Sequence, residues 1–204
     1  MTPLVMAFFK APRPGTVKTR LGREIGHEQA TALYRRMGEE QLARIPDEMR
    51  TEVHYAPRGA KPDMTEWLGQ RHYRAQTGGD LGQRMSHAFL AGFRRGYRPM
   101  LAIGADCPDL DEACLREAVG LLATHEVVIG PASDGGYYLI GLRAPAPSLF
   151  TGINWSTSTV LAETLRRAAE QRLSVALLRE RLDIDDLPTL QRYLDSRREP
   201  LTGT

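Results

Sequence analysis

The chain of 204 residues suits a single domain, 1–204, and is long enough to bury a full core. A formal net charge of +2 excludes a surface-wide trap for nucleic acid, so any anion binding must be local. Two cysteines, Cys107 and Cys114, are too few for a four-ligand zinc site, and the absence of a signal-like segment points to a reducing cytoplasm.

Leu4–Phe9 is an apolar run that reads as a buried first strand and is far too short to span a membrane. A turn containing Pro12, Pro14 and Gly15 follows. Residues 28–45 then place Ala30, Leu33, Tyr34 and Met37 on one helical face. Glu52–Ala56 reads as a second strand closed by Pro57, residues 57–72 as a loop with a short helix, and His72–Gln76 as a third, short strand. Leu81, Met85, Ala88, Phe89, Gly92 and Phe93 make a helical stripe stopped by Gly96 and Pro99. Next come a strand at Met100–Gly104, a helix at 111–124, and strands at Glu126–Gly130 and Gly136–Leu142. A helix at Thr157–Gln171, a strand at Ser174–Leu178 and an amphipathic helix bearing Leu187, Leu190 and Leu194 complete the series. This alternation predicts an α/β fold with a mostly parallel sheet and helices on both faces.

Three loops carry candidate chemistry. The first, Lys10–Leu21, sets Lys10, Arg13, Lys18 and Arg20 on one stiffened turn at the end of the first strand. Ligands of open α/β sheets bind at such carboxyl ends, and the cations suit a polyphosphate. A basic loop alone is equally a solvated surface, and neither the P-loop nor the dinucleotide pattern is present. The second loop, Gly104–Leu110, places Asp106 directly after the central strand. Asp109 or Asp111 can cap the following helix, whereas Asp106 lies too early for that and is a candidate ligand for Mg²⁺ or Mn²⁺. The third, Gly130–Leu139, contains Asp134-Gly135-Gly136; two glycines beside an aspartate allow backbone to approach a ligand.

Smaller features accompany these loops. Gly78 and Asp80 open a helix whose N-terminus can receive an anion or a base edge, or is simply capped. Trp155 stands before another helix start, as core or as a stacking wall. Asp186 is the natural cap of the last helix, with Pro188 in its first turn, which leaves Asp183 and Asp185 as solvated charges or as a second metal ligand. Cys107 follows Asp106, whose charge disfavours a thiolate, and the five histidines show no metal or triad spacing.

Taken together, Lys-x-Pro-x-Pro-Gly-x-Val-Lys-Thr-Arg-Leu, Gly-x-Asp-Cys-Pro-Asp-Leu, Gly-Pro-x-x-Asp-Gly-Gly-Tyr-Tyr-Leu-Ile-Gly-Leu and Trp-Ser-Thr resemble the DUF2064 family. These are glycosyltransferase-like proteins related to the 2-phospholactate guanylyltransferases, and the resemblance runs from Leu4 to about Leu194. It implies the GT-A, or nucleotide-diphospho-sugar transferase, fold: a three-layer α/β/α sandwich handling a nucleotide with a divalent metal. It makes Lys10, Lys18 and Arg20 a phosphate clamp, Asp106 the metal aspartate, and Asp134-Gly135-Gly136 a turn facing the acceptor or sugar, with Trp155 beside it. Asp106, Lys18 and Asp134 are then the candidate catalytic residues. The wider superfamily's Asp-x-Asp-Thr-Pro-x-Asp-Leu reads here Asp183-Ile184-Asp185-Asp186-Leu187-Pro188-Thr189-Leu190, so Asp185 is a weaker metal candidate than Asp106.

The implied partners are a nucleotide or nucleotide-sugar and a small-molecule acceptor, with neither nucleic acid nor membrane. The expected function is divalent-metal-dependent glycosyl transfer from a nucleotide-sugar, the family's usual label; the alternative is nucleotidyl transfer from an NTP to a phosphorylated acceptor with pyrophosphate release, favoured by the density of cations, and the second alternative a non-catalytic nucleotide-binding module.

Overall fold

A computed structural model describes residues 2–198. Strand β1 (Leu4–Lys10) lies near the middle of a seven-stranded sheet. Its alternate residues serve opposite layers. Val5, Ala7 and Phe9 join one hydrophobic core, and Leu4 and Met6 the other. The remaining strands are β2 (Arg50–Ala56), β3 (Tyr73–Ala75), β4 (Met100–Ile103), β5 (Val127–Pro131), β6 (Tyr137–Leu142) and β7 (Val175–Leu177). Their spatial order is β3-β2-β1-β4-β6-β5-β7. All neighbours run parallel except β6, which is antiparallel to both β4 and β5.

The helices α2 (His27–Ala43), α3 (Lys61–Leu68) and α5 (Glu112–Leu121) cover one face, supplying Tyr34, Leu42, Met64, Trp67 and Leu115 to the first core. On the other face lie α4 (Leu81–Arg94), a short 3₁₀ turn Pro147–Phe150, and α6 (Val160–Glu170), which contribute Met85, Phe89, Phe93, Phe150 and Ala168. The result is the three-layer α/β/α arrangement. Caps fix several helix starts: the Asp80 carboxylate accepts from Gln83 N–H, and that of Asp111 from Cys114 N–H, each at 2.8 Å.

Two helices flank the sandwich. Helix α1 (Thr19–Ile25) begins within the last three residues of the basic stretch, which the sequence pattern describes as loop, and α7 (Leu187–Arg198) ends the described chain. Leu21, Ala30, Met37 and Ile184 form a third, small core with side chains of α7 packed around it. This core matters for function because it draws the 183–186 segment against the start of α1. Leu21 N–H donates to the Asp185 carbonyl at 3.2 Å, and Ile184 N–H to that of Asp106 at 3.0 Å.

Candidate functional site

The carboxyl ends of β1 and β4 meet the antiparallel start of β6, and the loops leaving them surround a cleft of about 630 Å³. Its lining includes Lys10, Arg20, Leu81, Asp106, Asp134, Tyr137, Trp155, Ser156–Ser158, Asp183 and Asp185. Residues from six separate stretches of sequence thus converge, as expected at the end of a sheet where strand direction changes.

The cations of the basic stretch take different directions. Lys10 extends β1, and its N–H is held by the Tyr34 hydroxyl at 2.8 Å. Arg13 faces away from the cleft and pairs with Asp63 of α3 at 2.6 Å. Lys18 is buried to 1% side-chain exposure, and its ammonium meets the Asp106 carboxylate and the Ile184 carbonyl. Arg20, 71% exposed, reaches Asp185 at 3.3 Å. The structure therefore brings Lys10, Lys18 and Arg20 to the cleft and leaves Arg13 outside it. An unpaired ammonium buried like that of Lys18 costs on the order of several kcal/mol, so the Asp106 contact is needed to hold it there.

Among the cations stand four carboxylates, Asp106, Asp134, Asp183 and Asp185. Burial, together with the charges of Asp106, Asp134 and Asp185, pushes the Asp183 carboxyl up to about 7, against the opposing pull of Lys18. Asp185 is raised too, by burial and by Asp106, and is likewise restrained by Lys18. Carboxylates crowded in this way favour bound cations. For Mg²⁺ or Mn²⁺ the donors are chemically suited, being hard oxygens from Asp106, Asp183 and Asp185 on two hydrogen-bonded segments. Among the described residues no three His, Cys, Asp or Glu side chains already converge as a metal cluster, and the Asp106 carboxylate is engaged by Lys18.

The glycine-bearing loop lines the cleft through Asp134 and Gly136. Asp134 Oδ1 accepts from Gly136 N–H at 2.8 Å, closing the turn. Gly135 has φ +88°, and a Cβ there would lie 2.2 Å from the Ser158 carbonyl oxygen. Close backbone approach therefore does occur at this loop, but to the Ser156–Ser158 segment of the chain itself. Ser156, which lines the cleft, has φ +65°, and Lys18 has φ +46°; both are left-handed without being glycine. Such conformations cost about 1–3 kcal/mol each and persist where surrounding contacts dictate them.

Trp155 stands edge-on to Tyr137, with centroids 6.4 Å apart, and packs over Gly82, where a Cβ would fall 2.6 Å from the indole nitrogen. It is thus both a packing residue and a wall of the cleft. Gly78 and Asp80 lie at the α4 start, next to the cleft residue Leu81. Their polar groups are used locally: Arg84 donates to the Gly78 carbonyl, and Asp80 caps the helix. Asp111 caps α5, while Asp109 pairs with Arg197 at 3.1 Å. Cys107 is buried and its thiol is pushed up to about 12, chiefly by burial and secondarily by Asp183 and Asp109, so it is inert for a reason other than the neighbouring Asp106.

Asp183, left by the sequence as a solvated charge or a second metal ligand, lines the cleft, as does Ser158, which follows the Trp-Ser-Thr motif and carried no sequence signal of its own. The alternation Asp183-Ile184-Asp185 was the available clue: buried Ile184 anchors the segment, and the flanking aspartates line the cleft.

No curated protein matches the sequence. A crystal structure from Desulfovibrio desulfuricans G20, provisionally named a nucleotide-diphospho-sugar transferase, is 34% identical, with a TM-score of 0.93 over 98% of this chain and 90% of that one. Rv0371c from Mycobacterium tuberculosis H37Rv, crystallised with manganese, is 13% identical, with a TM-score of 0.60 over 96% of this chain and all of that one (100%). CMP:2-keto-3-deoxy-manno-octonic acid synthetase complexed with CTP is 8% identical, with a TM-score of 0.60 over 98% of this chain and 100% of that one. The last two share the fold alone. The family described as "Uncharacterized protein conserved in bacteria (DUF2064)" matches residues 41–157, a span containing Asp106 and the Asp134-Gly135-Gly136 turn. With that match, and with the 34% identical structure extending the likeness over the basic stretch and the 183–186 segment, the chain belongs to the DUF2064 family.

Proposed function

We propose that this protein is a single-domain, divalent-metal-dependent transferase that uses a nucleotide donor, and that the reaction is nucleotidyl transfer to a phosphorylated small-molecule acceptor. The observation that carries the reading is the charge polarity of the cleft: Lys10, Lys18 and Arg20 at one side, and Asp106, Asp183 and Asp185 beside them. Cations and carboxylates so arranged fit a metal–polyphosphate complex better than either a bare anion or a bare cation.

In this reading Asp106, with Asp185 and Asp183, holds Mg²⁺ or Mn²⁺. The ion supplies positive charge to the phosphate oxygens of the donor. Lys10 and Arg20 bind the outer phosphates, and Lys18 offsets charge on the departing group. An acceptor phosphate oxygen attacks the α-phosphorus, the bond from that phosphorus to the bridging oxygen breaks, and pyrophosphate leaves with the bonding pair. Catalysis here is mainly positioning and charge stabilisation. An ionised phosphate acceptor needs no general base, which agrees with the commitment of Asp134 Oδ1 to its own turn. Trp155, Tyr137 and the Ser156–Ser158 segment form the remaining wall, against which the acceptor lies.

Glycosyl transfer from a nucleotide-sugar is the second reading. It is favoured by the name of the 34% identical structure and by the second oxygen of Asp134, which is available to take an acceptor proton. The discriminating experiment incubates the full chain with Mg²⁺ or Mn²⁺, either each NTP or each nucleotide-sugar, and a panel of acceptors, follows pyrophosphate and nucleoside diphosphate, and measures nucleotide binding by thermal shift in parallel. Nucleotidyl transfer predicts acceptor-dependent pyrophosphate release that is lost in Asp106→Asn. Turnover of nucleotide-sugars alone selects glycosyl transfer. Mg²⁺-dependent nucleotide binding without turnover of either donor class selects a non-catalytic module.

A further inference from the structure

Lys18 differs from the other two cleft cations in its burial. Lys10 and Arg20 are exposed, Arg20 even while it pairs with Asp185, whereas the Lys18 side chain is 99% buried. It enters from a left-handed backbone position immediately before α1, a conformation unfavourable for lysine unless its surroundings impose it. Two of its three ammonium donors are engaged, by Asp106 and by the Ile184 carbonyl, which come from two distant parts of the chain. This is the position and electrostatic role of a bound cation: oxygen ligands from two segments, deep placement and neutralisation of a carboxylate group.

We propose that Lys18 is the resident counter-ion of the carboxylate cluster and competes with the divalent metal for Asp106. The inference rests on the metal reading of Asp106 given above and goes beyond it. A fixed ammonium and a divalent ion at the same carboxylate repel, so one must yield. When the metal takes Asp106, the Lys18 ammonium loses its anionic partner and becomes available to a donor phosphate. The site is thereby held together without metal, binds metal alone weakly, and accepts metal and polyphosphate as a unit. Lys18 is in this respect a positioning residue whose effect is read in metal affinity, in addition to any contact with substrate.

The test measures Mn²⁺ binding to the EDTA-stripped full chain from the electron paramagnetic resonance of free Mn²⁺, at about pH 8 so that the carboxylates are ionised. Wild type is compared with Lys18→Met, Lys18→Gln and Lys18→Arg, with far-UV circular dichroism as the folding control. Gln keeps a donor for the Ile184 carbonyl and covers the case in which Met prevents folding. Competition predicts that Met and Gln bind Mn²⁺ roughly tenfold or more tighter than wild type, with Arg close to wild type. It also predicts that adding Asp106→Asn to either neutral variant abolishes the gain. Equal or weaker Mn²⁺ affinity in the folded neutral variants overturns the competition while leaving the metal reading intact. Absence of Mn²⁺ binding in all of these proteins overturns the metal reading itself, and the competition with it.

Discussion

Arg13, Lys18 and Arg20 share one short stretch of sequence, yet they hold three different positions: on α3, beneath the cleft and at its rim. The direction of a side chain depends on partners far along the chain, Asp63 for Arg13 and Ile184 for Lys18, and the local pattern contains neither. The difference has a direct consequence. Arg13→Ala is expected to leave the affinity for inorganic pyrophosphate in the presence of Mn²⁺ unchanged, while Arg20→Ala weakens it by about 1 kcal/mol, the scale of an exposed charged contact. Isothermal titration of both variants checks this, and an equal loss in the two would mean that Arg13 also turns to the ligand. Gly135 calls for a stability prediction of a different kind. Its φ of +88°, and the Ser158 carbonyl oxygen only 2.2 Å from where a Cβ would stand, leave no room for a methyl group. Gly135→Ala should cost about 1–3 kcal/mol, read as a lower urea midpoint at unchanged slope. An unaltered midpoint would show that the turn can move away from Ser158 without penalty.

Elements with strong periodicity were legible. The apolar run of β1, the stripe of α4 and the short strands β2, β4 and β7 fall within a few residues of their expected positions, because period and burial coincide in them. Helix α1 was not legible: it is one short segment, Thr19–Ile25, interrupted by Gly22 and begun by a left-handed Lys18 without a side-chain cap. Its stability comes from Leu21 in the small core shared with α2 and Ile184, a tertiary cause invisible to local propensity. The antiparallel direction of β6 was also hidden, since a fully buried strand reads the same either way. Strand β2 holds a further feature at this scale. Glu52, 2% exposed, bonds Arg74 and Arg95 at 2.9 Å each and faces His54 Nε2 at 3.5 Å. Burial pushes its carboxyl up, but the nearby His54 ring and the hydrogen bonds from Arg95 and Arg74 prevail and hold it well below its ordinary value. Burial also lowers His54, despite the opposing effect of Glu52. Both folded-state values are depressed, so each group's contribution is full above its unfolded value and is lost as pH falls toward the folded one. Stability should therefore decline first below about pH 6.5, from His54, and again below about pH 4.3, from Glu52. His54→Gln should flatten the first decline, and Glu52→Ala should cost about 1–3 kcal/mol at neutral pH, because the partly exposed Arg74 and Arg95 lose their shared partner but can hydrate. Urea unfolding at a series of pH values measures both; a first decline unchanged in His54→Gln would remove His54 as its cause.

At the scale of the whole molecule, the sheet order explains why distant sequence motifs become one site. Parallel β1 and β4 deliver the basic stretch and Asp106 to the same edge, and antiparallel β6 brings its preceding Asp134-Gly135-Gly136 turn there as well. Beyond β5, the contact of Ala132 with Arg181 continues the parallel pairing with β7 and carries the chain onward to Asp183 and Asp185. The order of motifs along the sequence therefore revealed the fold, but which motifs face one another followed only from strand direction and register. A second polar groove, of about 750 Å³, lies between α7 and the 179–182 segment, where Arg44, Arg181, Arg192 and Arg197 are mixed with Asp109, Asp111 and Asp195. Its acids and bases nearly balance, and Arg197 and Arg181 are already paired with Asp109 and Asp111. Compared with it, the cleft at the strand ends has exposed Lys10 and Arg20 facing an excess of carboxylates, a polarity suited to metal and phosphate together. Hydrogen exchange separates the two surfaces. With Mn²⁺ and pyrophosphate, protection should rise in peptides covering 10–22, 104–107, 132–136, 155–158 and 183–186, and peptides from 188–198 should exchange as before. Protection confined to α7 and the 179–182 segment would move the anion site to the arginine groove and dissociate the basic stretch from ligand binding. Protection of 104–107 and 183–186 that is full only when Mn²⁺ and pyrophosphate are present together, with the 10–22 stretch protected in the same step, is the pattern expected if carboxylates and cations divide the metal–phosphate complex between them.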